Sequence, residues 1–201
     1  GYGYADGLYY PNVFLYFPAS LRLLGFNAIT TYKIFSFVTN FFAIFIIYLA
    51  TSNIGKSRYA GLVAATLYAF ASYRLIDFMY RCTLGEALSF LFIPLIIWGL
   101  YEIFSGHTKR WGLFALGFLG ITWSHLLSLV IVTIFTFIYL LINIKTVLTD
   151  RRVLSALLKS VILVVGLSAF FFLPMIEQTF SNELKANILL SSVYSFPNTN
   201  E

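Results

Sequence analysis

The stretch SYRLIDFMYRCTLGEA, residues 72–87, gathers Arg74, Asp77, Arg81 and Glu86 into one short run. On a helix, Arg74, Asp77 and Arg81 stand at i, i+3 and i+7 and share a face. Asp77 can then pair with either arginine. Guanidinium groups match phosphate oxygens two at a time, so Arg74 and Arg81 are candidate ligands for an anionic phosphate, with Asp77 holding them. Glu86 opens the next apolar segment, near the positive end of its helix, with Gly85 permitting a turn before it. A carboxylate there can serve as a base or as a ligand for a divalent cation. Each residue also has a plainer reading. The arginines can snorkel to headgroups, Asp77 can be their structural partner, and Glu86 can simply answer the helix dipole.

Three further groups are candidates for the same surface. Asp6 lies in the Gly- and Tyr-rich opening GYGYADGLYY and reads as a catalytic acid or as a turn former. His125 stands beside Ser124, between Trp123 and LLSLVIV, and reads as a substrate contact or as a hydrogen-bonded residue at a helix break. Glu177 closes FFFLPMIE and carries the same two readings. Tyr2, Tyr4, Tyr9 and Tyr10 together can stack on a sugar. With Cys82 alone and 2 His in the chain, an intrachain disulfide and a zinc-like cluster are both excluded.

The elements that hold these residues must live in lipid. The chain is 60% hydrophobic and 10% charged, which leaves too few ionic groups to cover a soluble surface. Its mean hydropathy of +0.85 agrees. The fold class is therefore an all-α integral membrane bundle. The net charge of +5 reports which loops face the cytoplasm and does not point to nucleic acid as a partner.

Hydrophobic runs predict spans at about 31–52, 59–72, 86–104, 111–123, 126–143 and 157–175. Pro94 predicts a kink inside the third, and Pro174 with Glu177 predicts the end of the last. Residues 111–144 are too long for one ordinary span, and Ser124-His125 marks a polar turn between two. Lys56, Arg58, Lys109, Arg110, Lys145, Arg151, Arg152 and Lys159 then fall on one side, which makes those loops cytoplasmic. Residues 1–30, interrupted by Pro11 and Pro18, read as an external loop with an aromatic interfacial helix. The tail SFPNTNE reads as loop. No repeat or linker divides the chain, so residues 1–201 form one membrane domain. Opening on Gly1 without a signal pattern, the sequence reads as an internal piece of a longer protein.

The run YRLIDFMYRCTLGEALSFLFIPLIIWGLYEIF, with WSHLL after it and YYPNVFLYFPASLRLLG before it, resembles a bacterial multi-pass family. That family is labelled 6-pyruvoyl-tetrahydropterin synthase-related membrane domain and is close in character to the YfhO-like membrane proteins. The resemblance covers roughly residues 1–180. It does not bring a pterin-synthase activity, because the His-rich metal site of those enzymes is missing. It implies a GT-C-like architecture in the bacterial cytoplasmic membrane. It also implies a glycosyltransferase that takes sugar from a polyprenyl-phosphate donor on the external face. The catalytic acid of such enzymes follows the first span, and the chain opens inside that loop, where Asp6 is the only acid. The expected roles are Asp6 or Glu86 in catalysis, with Arg74, Asp77, Arg81, His125 and Glu177 binding the lipid phosphate or substrate. Two other classes remain open. One is a transporter or flippase for a lipid-linked or anionic solute. The other is a cell-envelope scaffold without catalysis.

Overall fold

The computed structural model describes residues 11–181, and every regular element among them is helical. Asp6, the opening tyrosines and the tail at 195–201 lie outside the described residues. The helices are α1 (Tyr16–Leu23), α2 (Ala28–Ile54), α3 (Arg58–Ala69), α4 (Ser72–Ile76), α5 (Leu84–Phe104), α6 (Trp111–Thr122), α7 (Leu126–Ile142), α8 (Ile144–Thr149) and α9 (Arg151–Ser181). A π-turn, Asp77–Arg81, continues α4, and short 3-10 turns precede α1 and α6.

A helix stands at each of the six predicted spans. Among the described residues, α2, α5 and α9 are long and apolar enough to cross a membrane unaided, and α3 with the α4 segment passes as a pair bent by 46°. The side-chain distribution shows which solvent surrounds them. On α2, the buried stripe is Thr31, Phe35, Thr39, Ala43 and Ala50, mostly small or polar. Its exposed face carries Phe37, Phe41 and Phe45, stacked in series with ring centroids 6.4 and 6.2 Å apart. A soluble helix would invert that arrangement. Small residues inside and aromatic residues outside suit a protein surrounded by lipid.

The central helix is α5, which packs against α2 on one side and α6 on the other. Its seam with α6 is close because glycine removes the side chain at the crossing points. A Cβ at Gly99 would strike the backbone of Phe114, and one at Gly117 would strike Ile96. Pro94 lies buried inside α5, which runs through it as one helix. Proline has no N–H to offer the carbonyl four residues back. That carbonyl, on Phe90, is instead taken by the Tyr68 hydroxyl from α3 at 2.5 Å.

The polar turn at Ser124-His125 is where the sequence puts it. The Ser124 hydroxyl donates to the Ile121 carbonyl (3.1 Å), and His125 Nδ1 accepts from the Ser128 backbone N–H to cap α7 (3.4 Å). Tyr139, late in α7, packs edge-on against Phe104 at the end of α5, with centroids 5.2 Å apart. Since α6 begins just after Phe104, α7 returns to the level at which α6 started. The two helices therefore run antiparallel, as a pair rather than one long rod.

Two boundaries depart from expectation. The last helix does not end at Pro174 or Glu177 but spans Arg151–Ser181 with Pro174 inside it. One missing N–H does not stop a helix whose exposed apolar face continues through Leu173, Ile176 and Phe180. The turn before α5 is made by Cys82, at a left-handed φ of 51°, while Gly85 lies within the helix. In α1, Pro18 sits in the first turn, where its missing donor has no partner to lose.

The loops sort by charge. Ile54, Tyr101 and Tyr139 line one groove, which brings the ends of α2, α5 and α7 to the same level. The basic loops after α2, α5 and α7 therefore share one end of the bundle, hereafter the basic end. The Arg74–Glu86 stretch, Ser124-His125 and Glu177 belong to the opposite end.

Candidate functional site

At the end opposite the basic loops, five side chains from α4, the π-turn and the start of α5 form one network. Arg81 Nη1 lies 3.3 Å from Asp77 Oδ1, 3.1 Å from Glu86 Oε2 and 3.1 Å from the Tyr73 hydroxyl. The Tyr73 hydroxyl donates to Glu86 Oε1, and the Thr83 hydroxyl donates to Asp77 Oδ1. Asp77 is fully buried and its Oδ2 has no hydrogen-bond partner. The Glu86 side chain is 17% exposed, whereas that of Arg81 is 47% exposed. One half-open cation is thus flanked by two sheltered carboxylates, and the three groups sum to a formal charge of −1.

The local sequence explains the assembly. Glu86 sits in the first turn of α5, where the helix dipole favours a carboxylate. The π-turn bonds i to i+5, which widens the helix over Asp77–Arg81 and swings Arg81 relative to a regular helix. Cys82 in the left-handed region then reverses the chain so that Thr83 and Glu86 return beside Asp77.

Arg74 does not join this network, so the expectation that both arginines grip one phosphate, with Asp77 holding the pair, is corrected. Arg74 is 3% exposed. Its Nη2 donates to Asn40 Oδ1 of α2 at 2.6 Å, and its Nη1 donates to the Tyr68 carbonyl at 3.2 Å. The guanidinium carbon also lies 4.7 Å from the centre of the Tyr68 ring. The physical reason is the same π-turn. Without it Arg74 and Arg81 would share a face; with it they diverge, one into the bundle and one toward the open end.

His125 and Glu177 reach the same end of the bundle on other elements. His125 Nδ1 lies 2.8 Å from Ser128 Oγ, at the start of α7, and Glu177 is exposed on the last turns of α9. Neither is among the five residues of the Arg81 network. No group of three or more His, Cys, Asp or Glu among the described residues is placed to hold a metal ion.

Tyr73, Thr83, Asn40 and Tyr68 are the residues that sequence reasoning missed. Tyr73 and Thr83 lie inside the charged run, one residue before Arg74 and two after Arg81, so adjacency was their available signal. Asn40 was legible as a polar residue within the apolar run of α2. Its partner was not legible, because the pairing crosses 34 positions.

The chain matches the family described as "Bacterial membrane protein YfhO" over residues 12–199. It belongs to that family. The match carries the YfhO side of the resemblance and does not carry the pterin-synthase-related label. Among curated relatives, an uncharacterized protein of Lactococcus lactis subsp. cremoris (strain MG1363) is 26% identical over 185 residues, which is 88% of this chain and 30% of the relative. The chain therefore spans under a third of that relative's length. No solved structure matches it. As a YfhO family member built from apolar helices, it is a bacterial membrane protein associated with the lipid bilayer.

Proposed function

We propose that this YfhO family chain is part of a GT-C-type glycosyltransferase that uses a polyprenyl-phosphate-linked sugar at the external face of the cytoplasmic membrane. The single observation that carries the reading is how Arg81 is held. Its contacts to Asp77, Glu86 and Tyr73 all run through Nη1. Nη2 and Nε of a half-exposed guanidinium therefore remain for a phosphate. The positive-inside rule orients the bundle, with the basic end cytoplasmic and the Arg81 network external. In this reading, residues 1–201 are one domain that crosses the membrane six times.

The chemistry follows from the charges. An acceptor hydroxyl attacks the anomeric carbon, the bond from that carbon to the phosphate oxygen breaks, and the phosphate leaves with the electron pair. Glu86, a carboxylate that already accepts a hydrogen bond from the Tyr73 hydroxyl, takes the proton of the acceptor. The network then passes from −1 to neutral as negative charge gathers on the leaving phosphate beside Arg81, which is when that change helps most. Asp77 holds Arg81 in place, while Arg74 is a positioning residue of the bundle. His125 and Glu177 form the wall on the α7 and α9 sides, and Asp6 is a second candidate acid.

The test is sugar transfer by full-length protein in nanodiscs with an undecaprenyl-phosphate sugar donor. Glu86→Gln and Arg81→Ala are each expected to lower kcat/KM by 100-fold or more, on the order expected for loss of a general base or a charge-stabilising group. Wild-type transfer rates in both variants would remove these assignments. A transporter or flippase is the second reading, favoured by the 46° break between α3 and the α4 segment beside the charged residues. Donor movement across proteoliposome membranes without sugar transfer would select it.

A further inference from the structure

The basic end carries a feature that the proposed transferase chemistry does not use. A cavity of about 390 Å³ opens between the turn before α6 and the first turns of α9. Lys109, Arg151, Arg152 and Lys159 line it, together with Thr108 and Ser155. No salt bridge among the described residues engages any of the four cations. Their neighbour Arg110 is in a different condition, since it lies 2.9 Å from the buried Glu102 carboxylate, which also meets His107 (3.1 Å). Glu102 thus pairs with Arg110 and leaves the other four unneutralised. The acid nearest in sequence is Asp150, whose carboxylate accepts from the Arg152 backbone N–H at 2.8 Å to cap α9. Four cations against that one carboxylate leave a net positive cavity.

The wall of the cavity is fixed. Ser160, one turn below, is buried and bonds the Trp111 carbonyl (3.3 Å) and the Ala156 carbonyl (2.9 Å), which ties α9 to the start of α6. Along α9, the exposed Leu154 and Leu158 interleave with Arg151, Ser155 and Lys159 and lead on to the exposed Val161, Ile162 and Val165. Cations, hydroxyl donors and a lipid-facing apolar stripe therefore meet at the level where an apolar span begins.

The geometry points to a binding site for the phosphate headgroup of an anionic phospholipid, seated between the turn before α6 and α9, with its acyl chains along the α9 stripe. Phosphate is the chemistry that four cations and two hydroxyls satisfy, and the adjoining apolar stripe selects the lipid over free phosphate. The site is at the opposite end of the bundle from the Arg81 network and stands or falls independently of the transferase reading.

The test is native mass spectrometry of purified full-length protein released from detergent with phosphatidylglycerol or phosphatidylcholine. Wild-type protein is expected to retain phosphatidylglycerol in preference. The triple variant Arg151→Gln/Arg152→Gln/Lys159→Gln is expected to bind it on the order of 100-fold more weakly, as three interfacial charges would account for. Lys109→Gln alone, on an exposed side chain, is expected to weaken it several-fold and covers the case in which the triple variant does not fold. Arg22→Gln, at the other end, is expected to leave retention unchanged. Equal retention of the two lipids, or unchanged phosphatidylglycerol binding in both cavity variants, would overturn the proposal. Displacement of the lipid by millimolar inorganic phosphate would overturn the lipid assignment in favour of a free-phosphate site.

Discussion

Replacing Arg74 with alanine separates a structural arginine from a ligand arginine. Arg74 is 3% exposed and donates to Asn40 Oδ1 at 2.6 Å and to the Tyr68 carbonyl at 3.2 Å. Its guanidinium also covers the Tyr68 ring at 4.7 Å. Hydrogen bonds from a charged donor contribute roughly 1.5–3 kcal/mol each, and a desolvated cation–π contact about 2 kcal/mol or more. These terms share partners and do not add fully, so we take about 3–5 kcal/mol for the truncation. The loss is not confined to α4. Asn40 and the Tyr68 carbonyl would each lose a buried partner, and Tyr68 is the residue that satisfies the carbonyl left open by Pro94. A destabilisation of this size lowers Tm by on the order of 10 °C for a unit of 150–250 residues. The assay is thermal unfolding of full-length protein in nanodiscs, with Arg81→Ala beside it. Arg74→Ala is expected to melt early, and Arg81→Ala to melt below wild type as well, because it leaves the buried Asp77 carboxylate without its cation. The reasoning is refuted if Arg74→Ala keeps the wild-type Tm and loses donor binding, since Arg74 would then be a ligand residue.

The remaining predictions concern the seam, the network and the orientation. Gly99→Leu places a side chain against the Phe114 backbone and is expected to cost about 1–3 kcal/mol or to disrupt α5–α6 packing outright, read as a lowered Tm. Tyr73→Phe removes the hydroxyl between Glu86 and Arg81 while keeping the ring. It is expected to lower sugar transfer less than Glu86→Gln does, with Tm unchanged. Cys82 is exposed at the Arg81 end. In intact cells, and in a background without other cysteines, it should react with a membrane-impermeant maleimide, whereas a cysteine replacing Lys109 should not. The reverse labelling pattern would invert the orientation.

What the sequence determined by itself was the solvent and the punctuation. A chain with so few charges has no soluble fold to adopt, and apolar runs of a fixed length can satisfy their backbone in lipid only as helices. Hence helices stand at all six expected positions, and Ser124-His125 marks the turn between α6 and α7. The basic loops gather at one end because antiparallel helices return their alternate loops to the same level. Tertiary structure decided which polar groups meet. Arg74 and Arg81 are equivalent in the sequence pattern, yet one π-turn sends Arg74 to Asn40 and Tyr68 and leaves Arg81 with two carboxylates. The carbonyl that Pro94 strands, on Phe90, is taken by a tyrosine from another helix. Pro174 reads as a terminus until the helix runs on past it. In each case the deciding partner lies far along the chain or depends on a local change of helical pitch. Hydrophobic periodicity carries neither kind of information, because it records what a residue avoids and says nothing of what it will find.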